Sequence, residues 1–198
     1  MPACPRGTPA ATARSRTASV KKDRVMHRVF ATALAALLLA AGGGVVFADD
    51  GSGNPAAVKS EDGKYYDKDG NPTYKIQADG TVDWYTYSGF RRYNSECIVC
   101  HGPNGDGSSF APALKDSVKR LSYGDFLGTV ASGRKNVTTA SENVMPAFGD
   151  NRNVMCYIDD IYVYLRARAY DKVPIGRPEK HDDPPETFRK NEKACMGP

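Results

Sequence analysis

Cys97-Ile98-Val99-Cys100-His101 is the stretch on which the reading of this chain turns. Two cysteines three apart at a helix end project along one side, so both can form thioethers with the vinyl groups of one haem. His101, the next residue, then points its imidazole at the iron. A CxxC pair has other uses, as half of a zinc site or as a thiol–disulfide couple. Zinc would need a second ligand pair of similar spacing, and Cys156 and Cys195 are 39 apart. A thioredoxin-like site would need a βαβ context, which the hydrophobic pattern lacks. The spacing therefore predicts one covalently attached haem c.

Outward from the pentapeptide, residues 84–99 read as a helix and 102–114 as a loop dense in Gly, Pro and Ser. Ser122-x-x-Asp125 has the spacing of a capping box and predicts a short helix to Ser132, ended by Gly133. Residues 134–152 read as irregular and hold Met145-Pro146. Ile158, Ile161, Tyr162 and Leu165 recur at i, i+3, i+4 and i+7, which predicts a helix over 153–170. Upstream, Asp62-Gly63, Asp69-Gly70 and Asp79-Gly80 separate short alternating runs, so 61–84 predicts small β-hairpins as an accessory layer. Residues 171–198 are rich in Pro and charge and predict an extended tail on the surface. Asp159-Asp160, Asp182-Asp183 and Arg91-Arg92 read as solvated faces.

The chain's 198 residues carry 27 Lys+Arg against 23 Asp+Glu. That excess is not evenly spread. Residues 1–48 hold seven bases and one acid, leaving 20 bases and 22 acids for 49–198. The folded part therefore lacks the overall basicity of a nucleic-acid binder. A cationic start, an uncharged run over 29–41, and Val46 and Ala48 before Asp49 together predict a secretory signal cleaved after Ala48. Met26 is an alternative start, and an uncleaved anchor is the competing reading, since 29–48 is long enough to span a bilayer. Cleavage predicts a periplasmic protein of 49–198 with no stable membrane insertion. It also removes Cys4, leaving Cys156 and Cys195 besides the haem pair. In an oxidising compartment these two would most simply form a disulfide, against two free thiols or an intermolecular bridge.

A haem iron needs a sixth ligand, and the candidates are Met145, Met155, Met196 and His181, or an open position. Met145 lies in an irregular stretch that can cross the haem face without breaking helical hydrogen bonds. Ligation by His and Met fills both axial sites and favours electron transfer over substrate chemistry.

With Gly89-x-x-x-Tyr93 ahead of Cys97, and Pro112-Ala113-Leu114 after His101, the chain resembles the class I c-type cytochromes over about 84–170. The resemblance implies a mostly α class I cytochrome c fold, with a small N-terminal β-hairpin extension (49–83) before the haem domain and the extended tail (171–198) after it. It implies axial His101 and Met145, a Pro112 carbonyl that orients His101, and haem-pocket side chains Tyr93, Leu114 and Phe148. A narrower set, Val144-Met145-Pro146-Ala147-Phe148-Gly149 with 153–169 and Gly176-Arg177-Pro178, is similar to the methylotroph cytochromes of the cytochrome cL and four-cysteine methanol-metabolism group. That similarity implies a one-electron carrier, not an enzyme. Its donor would be a PQQ-dependent methanol or other alcohol dehydrogenase, and its acceptor another cytochrome c or a terminal oxidase. Because the quinol form gives up two electrons, each alcohol would need two encounters. Rival readings are a general respiratory cytochrome c for another dehydrogenase, and a haem enzyme or sensor with an open axial site.

Overall fold

The structure is a computed structural model that describes residues 53–137 and 142–197. The expected signal segment, 1–48, lies outside them. Among the described residues no helix is long and apolar enough to cross a membrane.

Strands β1 (Lys59–Glu61), β2 (Lys64–Tyr66) and β3 (Pro72–Thr73) form an antiparallel sheet in that order, with Ser60 opposite Tyr65 and Tyr65 opposite Thr73. The first turn is Asp62-Gly63, and both residues have positive φ (52° and 80°), as a two-residue hairpin of matching twist requires. At the second turn the Asp67 carboxylate accepts from the backbone N–H of Asp69 and of Asn71, each at 2.9 Å. The expected hairpins are present, but they are not merely accessory. Asp67 pairs with Arg166 at 2.7 Å, both side chains are fully buried, and Arg166 also donates to the Pro72 carbonyl at 3.1 Å. The extension is thereby tied to the middle of the helical core.

Helix α1 (Trp84–Glu96) begins at Asp83, whose carboxylate caps the Thr86 N–H at 2.9 Å. It ends at Cys97, where α2 (Ile98–His101) begins. Helix α6 (Ile158–Ala169) is buried from Asp160 to Ala169 and is the centre of the molecule. Gly89 marks the crossing of α1 and α6. A Cβ there would lie 1.8 Å from the Asp160 carbonyl oxygen, so the two backbones touch where a side chain is absent. Around this pair pack α3 (Leu114–Arg120) and α4 (Tyr123–Ser132). As expected, Ser122 caps α4 by accepting from Asp125 N–H, and Gly133 ends it at φ 72°.

Several segments differ from their expected form. Leu114, read as the end of a loop, instead opens α3 (Leu114–Arg120), over residues that had no assignment from sequence; Asp116 in the first turn and Lys119 and Arg120 in the last suit the helix dipole. The stretch expected to be irregular, 134–152, contains an antiparallel hairpin of β4 (Arg134–Val137) and β5 (Glu142–Met145). The expected last helix is two pieces, α5 (Arg152–Met155) and α6, because the chain turns at Cys156-Tyr157. The tail runs extended only to Pro185 and then forms α7 (Glu186–Met196). Phe188, Glu192 and Cys195 fall at i, i+4 and i+7, and face Tyr85, Arg92 and Cys156 respectively. Asp159-Asp160 is not a solvated face either. Asp160 is 3% exposed and accepts from Ser88 Oγ at 2.6 Å, while Asp159 pairs with Lys64 at 2.8 Å. Arg92 is half-buried against Tyr157, whereas Arg91 is exposed.

Candidate haem-attachment site

The pentapeptide sits at the α1–α2 junction. Cys97 is half-buried, Cys100 is exposed, and neither is in a disulfide, although Cys156 and Cys195 are joined in one. Burial, with help from Glu96 and Cys100, pushes the Cys97 thiol up to about 12. A thiol–disulfide couple needs the opposite shift, toward thiolate. The upward shift runs against thiol–disulfide exchange at Cys97. No group of three or more His, Cys, Asp or Glu able to hold a metal ion occurs among the described residues.

His101 is buried and its Nδ1 lies 2.9 Å from the Pro112 carbonyl oxygen. A carbonyl can only accept, so Nδ1 carries the proton and Nε2 keeps its lone pair for a metal. The loop that brings Pro112 back is braced from several sides. Gly107 N–H donates to the His101 carbonyl at 2.8 Å, and Ser108 Oγ donates to the Cys100 carbonyl at 2.5 Å. Gly102 has φ 71°, and a Cβ on it would meet Gly107 O at 2.2 Å, so only glycine fits. Asn104, at φ 60°, accepts from Gly176 N–H at 2.8 Å and so links this loop to the chain beyond α6.

Tyr93 is fully buried, and its hydroxyl donates to the Gly102 carbonyl at 2.5 Å. Its visible role is to brace the loop behind His101. Leu114 opens α3, and Phe148 follows β5. Both are half-buried and pack on the core, as do Cys97, Ile98, Leu127 and Met145. Half-buried apolar side chains of this kind, with an imidazole whose Nδ1 is already tied to a carbonyl, suit an apolar group that carries a metal. Met145 is the last residue of β5, and the loop after it is pinned to α4 by Phe148 N–H to Val130 O and Gly149 N–H to Ala131 O, each at 3.0 Å. The other sixth-ligand candidates are placed differently. His181 stacks on Tyr87 with ring centroids 3.7 Å apart and also meets Trp84, at the opposite end of α1 from Cys97. Met196 packs with the Tyr85–Tyr157–Phe188 cluster, and Met155 packs on the main core.

The residues missed from sequence are those bracing the loop: Gly107, Ser108 and Asn104. Asn104-Gly105 was a readable signal, because Asn and Gly tolerate left-handed backbone. The partner in each case lies across a tertiary contact that no local pattern encodes.

The family described as "Cytochrome C oxidase, cbb3-type, subunit III" matches residues 86–165. Cytochrome c-553I of Paracoccus denitrificans is 54% identical over 136 residues, which are 69% of this chain and 60% of that protein's length. Cytochrome c-555 of Methylococcus capsulatus is 41% identical over 100 residues, half of this chain and 75% of that one. The crystal structure of c-type cytochrome XoxG from Methylobacterium extorquens AM1 superposes with a TM-score of 0.66 at 58% identity, covering 71% of this chain and 86% of that one. The motif order, the fold and these likenesses agree: the chain belongs to the class I c-type cytochromes, electron-transfer proteins that carry covalently attached haem c, and is related to the cytochromes of methylotrophs.

Proposed function

We propose that this protein is a periplasmic monohaem carrier that takes electrons singly from a PQQ-dependent methanol or other alcohol dehydrogenase and passes them to another cytochrome c or an oxidase. The observation that carries the site assignment is the Pro112 carbonyl on His101 Nδ1, beside two free cysteines three apart. Cys97 and Cys100 would hold the haem through thioether bonds, and His101 and Met145 would ligate its iron. Leu114 and Phe148 would keep water from it, and Tyr93 and Pro112 hold His101 in place. When bound, the haem supplies a reversible one-electron couple. The residues around it move little on electron transfer, because the imidazole is already oriented and the Met145 loop already tied to α4. The donor assignment rests on the methylotroph resemblance and on the similarity to XoxG.

Val99 and Phe110 are 81% and 75% exposed; Val99 precedes Cys100, and Phe110 N–H donates to the Ser108 Oγ that in turn donates to the Cys100 carbonyl. An uncharged apolar rim of this kind suits a small, weak interface with rapid turnover. Stopped-flow reduction by candidate quinoprotein alcohol dehydrogenases tests the reading. We expect saturable reduction, slowed tenfold or more by Val99→Asp with Phe110→Asp, and an unchanged absorption spectrum. If small-molecule reductants reduce the protein but no such dehydrogenase does, the donor assignment is wrong. If the double variant accepts electrons at the wild-type rate, the docking face is wrong.

A further inference from the structure

Helices α1 and α7 enclose a cavity of about 350 Å³, lined in part by Trp84, Arg91, Arg92, Phe188, Arg189 and Glu192. Its only acid is already engaged. Glu192 Oε1 accepts from Tyr157 Oη at 2.6 Å and from Arg92 at 3.2 Å, and the Arg92 guanidinium lies 3.5 Å from the Tyr157 ring centroid. Arg91 and Arg189 have no ion-pair partner among the described residues. The indole N–H of Trp84 is buried and has no acceptor among them. Such an orphaned donor is uncommon, and costs about 1–3 kcal/mol when left dry.

The walls thus offer positive charge with no free carboxylate, while the Trp84 N–H is closed off from the cavity. Trp84 and Phe188 meet edge to face at 5.4 Å and form an apolar side. Guanidinium groups match planar, two-oxygen anions. The volume falls within the range of small-molecule sites. Residues 49–198 carry more acids than bases, so this uncompensated arginine pair is a local feature. We propose that the α1–α7 cavity is a binding site for a carboxylate ligand, held by Arg91 and Arg189, with Trp84 in its wall. The carboxylate is either that of a small free diacid or that of an Asp or Glu side chain on another protein. The site lies about one to four helical turns before Cys97 along α1, and the proposal does not rest on the electron-donor reading.

Trp84 is the chain's single tryptophan, so its indole N–H gives one assignable resonance. The reduced, haem-loaded protein is titrated with succinate, with a blocked acetyl-Asp-Glu-amide peptide, and with sodium chloride at matched ionic strength. We expect the indole resonance to shift saturably with a carboxylate and not with chloride. Tighter binding of succinate assigns the site to free diacids; tighter binding of the peptide assigns it to protein side chains. Arg91→Gln with Arg189→Gln, both exposed positions, should weaken binding at least tenfold while leaving the absorption spectrum unchanged. The proposal is overturned if neither carboxylate shifts the resonance by ~10 mM, where a millimolar site is nearly filled. It is also overturned if chloride reproduces the shift, or if the double arginine variant binds as tightly as wild type.

Discussion

At the scale of single residues, Asp160 is the side chain whose surroundings differ most from what its neighbours in sequence suggest. An Asp-Asp pair early in a helix reads as a solvated, dipole-complementing cap. Here α6 is enclosed on every side, so polarity does not mark a solvent face. Asp160 faces Ser88 on α1, with Lys64, Asp159 and Asp83 around it. Burial is the main cause that pushes its carboxyl from 3.8 up to about 7; the Ser88 hydrogen bond and Lys64 oppose the rise, and Asp159 and Asp83 add to it. Because the folded value is raised, the folded protein holds a proton that the unfolded chain releases between these two values. The group's stabilising contribution is then full below about pH 4 and is lost as pH rises through about 7. Asp160→Asn removes this dependence. Relative to that variant, the wild type should lose on the order of a few kcal/mol of stability between acid and pH 8. Denaturant midpoints of both proteins across that range check it; parallel profiles would mean that Asp160 is ionised in the fold or does not titrate there. By contrast, His101 was legible from its place after CxxC, and its Pro112 partner through the resemblance to the class I c-type cytochromes.

At the scale of elements, the capped start of α4 was readable, and so was the apolar spacing of α6. Ser122 caps α4 from its expected position, and the Asp62-Gly63 turn sets the first hairpin. Elements whose support is tertiary were not readable. Helix α7 shows one buried side chain, Phe188, among charges, and its helical form depends on Tyr85, Arg92 and Cys156 from elsewhere in the chain. The β4–β5 hairpin has no apolar alternation to announce it. The α1–α6 crossing is where sequence and packing meet most directly. A lone glycine in a helix is locally a weakness of about 1 kcal/mol relative to alanine. Local propensity alone therefore favours Gly89→Ala. The packing argues the reverse, since the added carbon would sit 1.8 Å from Asp160 O and 2.8 Å from Tyr164 Cβ. Backbone cannot swing aside as a flexible side chain can. We expect Gly89→Ala to destabilise by at least ~3 kcal/mol, read as a lower denaturant midpoint. A neutral or stabilising effect would show that the two helices separate without cost.

At the largest scale, the described residues form a helical core held by the segments that precede and follow it in sequence. The N-terminal extension reaches α6 through the buried Asp67–Arg166 pair, and the C-terminal segment returns across α1 to end in α7. Two of α7's links to the rest of the protein are the Arg92–Glu192 contact and the Cys156–Cys195 disulfide, which closes a segment with a sequence separation of 39. A cross-link of that span restricts the unfolded chain by about 3–4 kcal/mol. Cys156→Ser with Cys195→Ser should lower the denaturant midpoint accordingly. The haem-attachment loop makes none of its described hydrogen bonds to α7, so the c-type absorption spectrum should stay as in wild type. The same variant bears on the α1–α7 cavity. Phe188 and Arg189 belong to α7, so loosening that helix should weaken succinate binding at Trp84 along with stability. Loss of stability with succinate affinity intact would mean that Phe188 and the Arg92–Glu192–Tyr157 contacts hold α7 in place without the disulfide. An altered haem spectrum would mean that the C-terminal helix supports the haem site as well as covering α1.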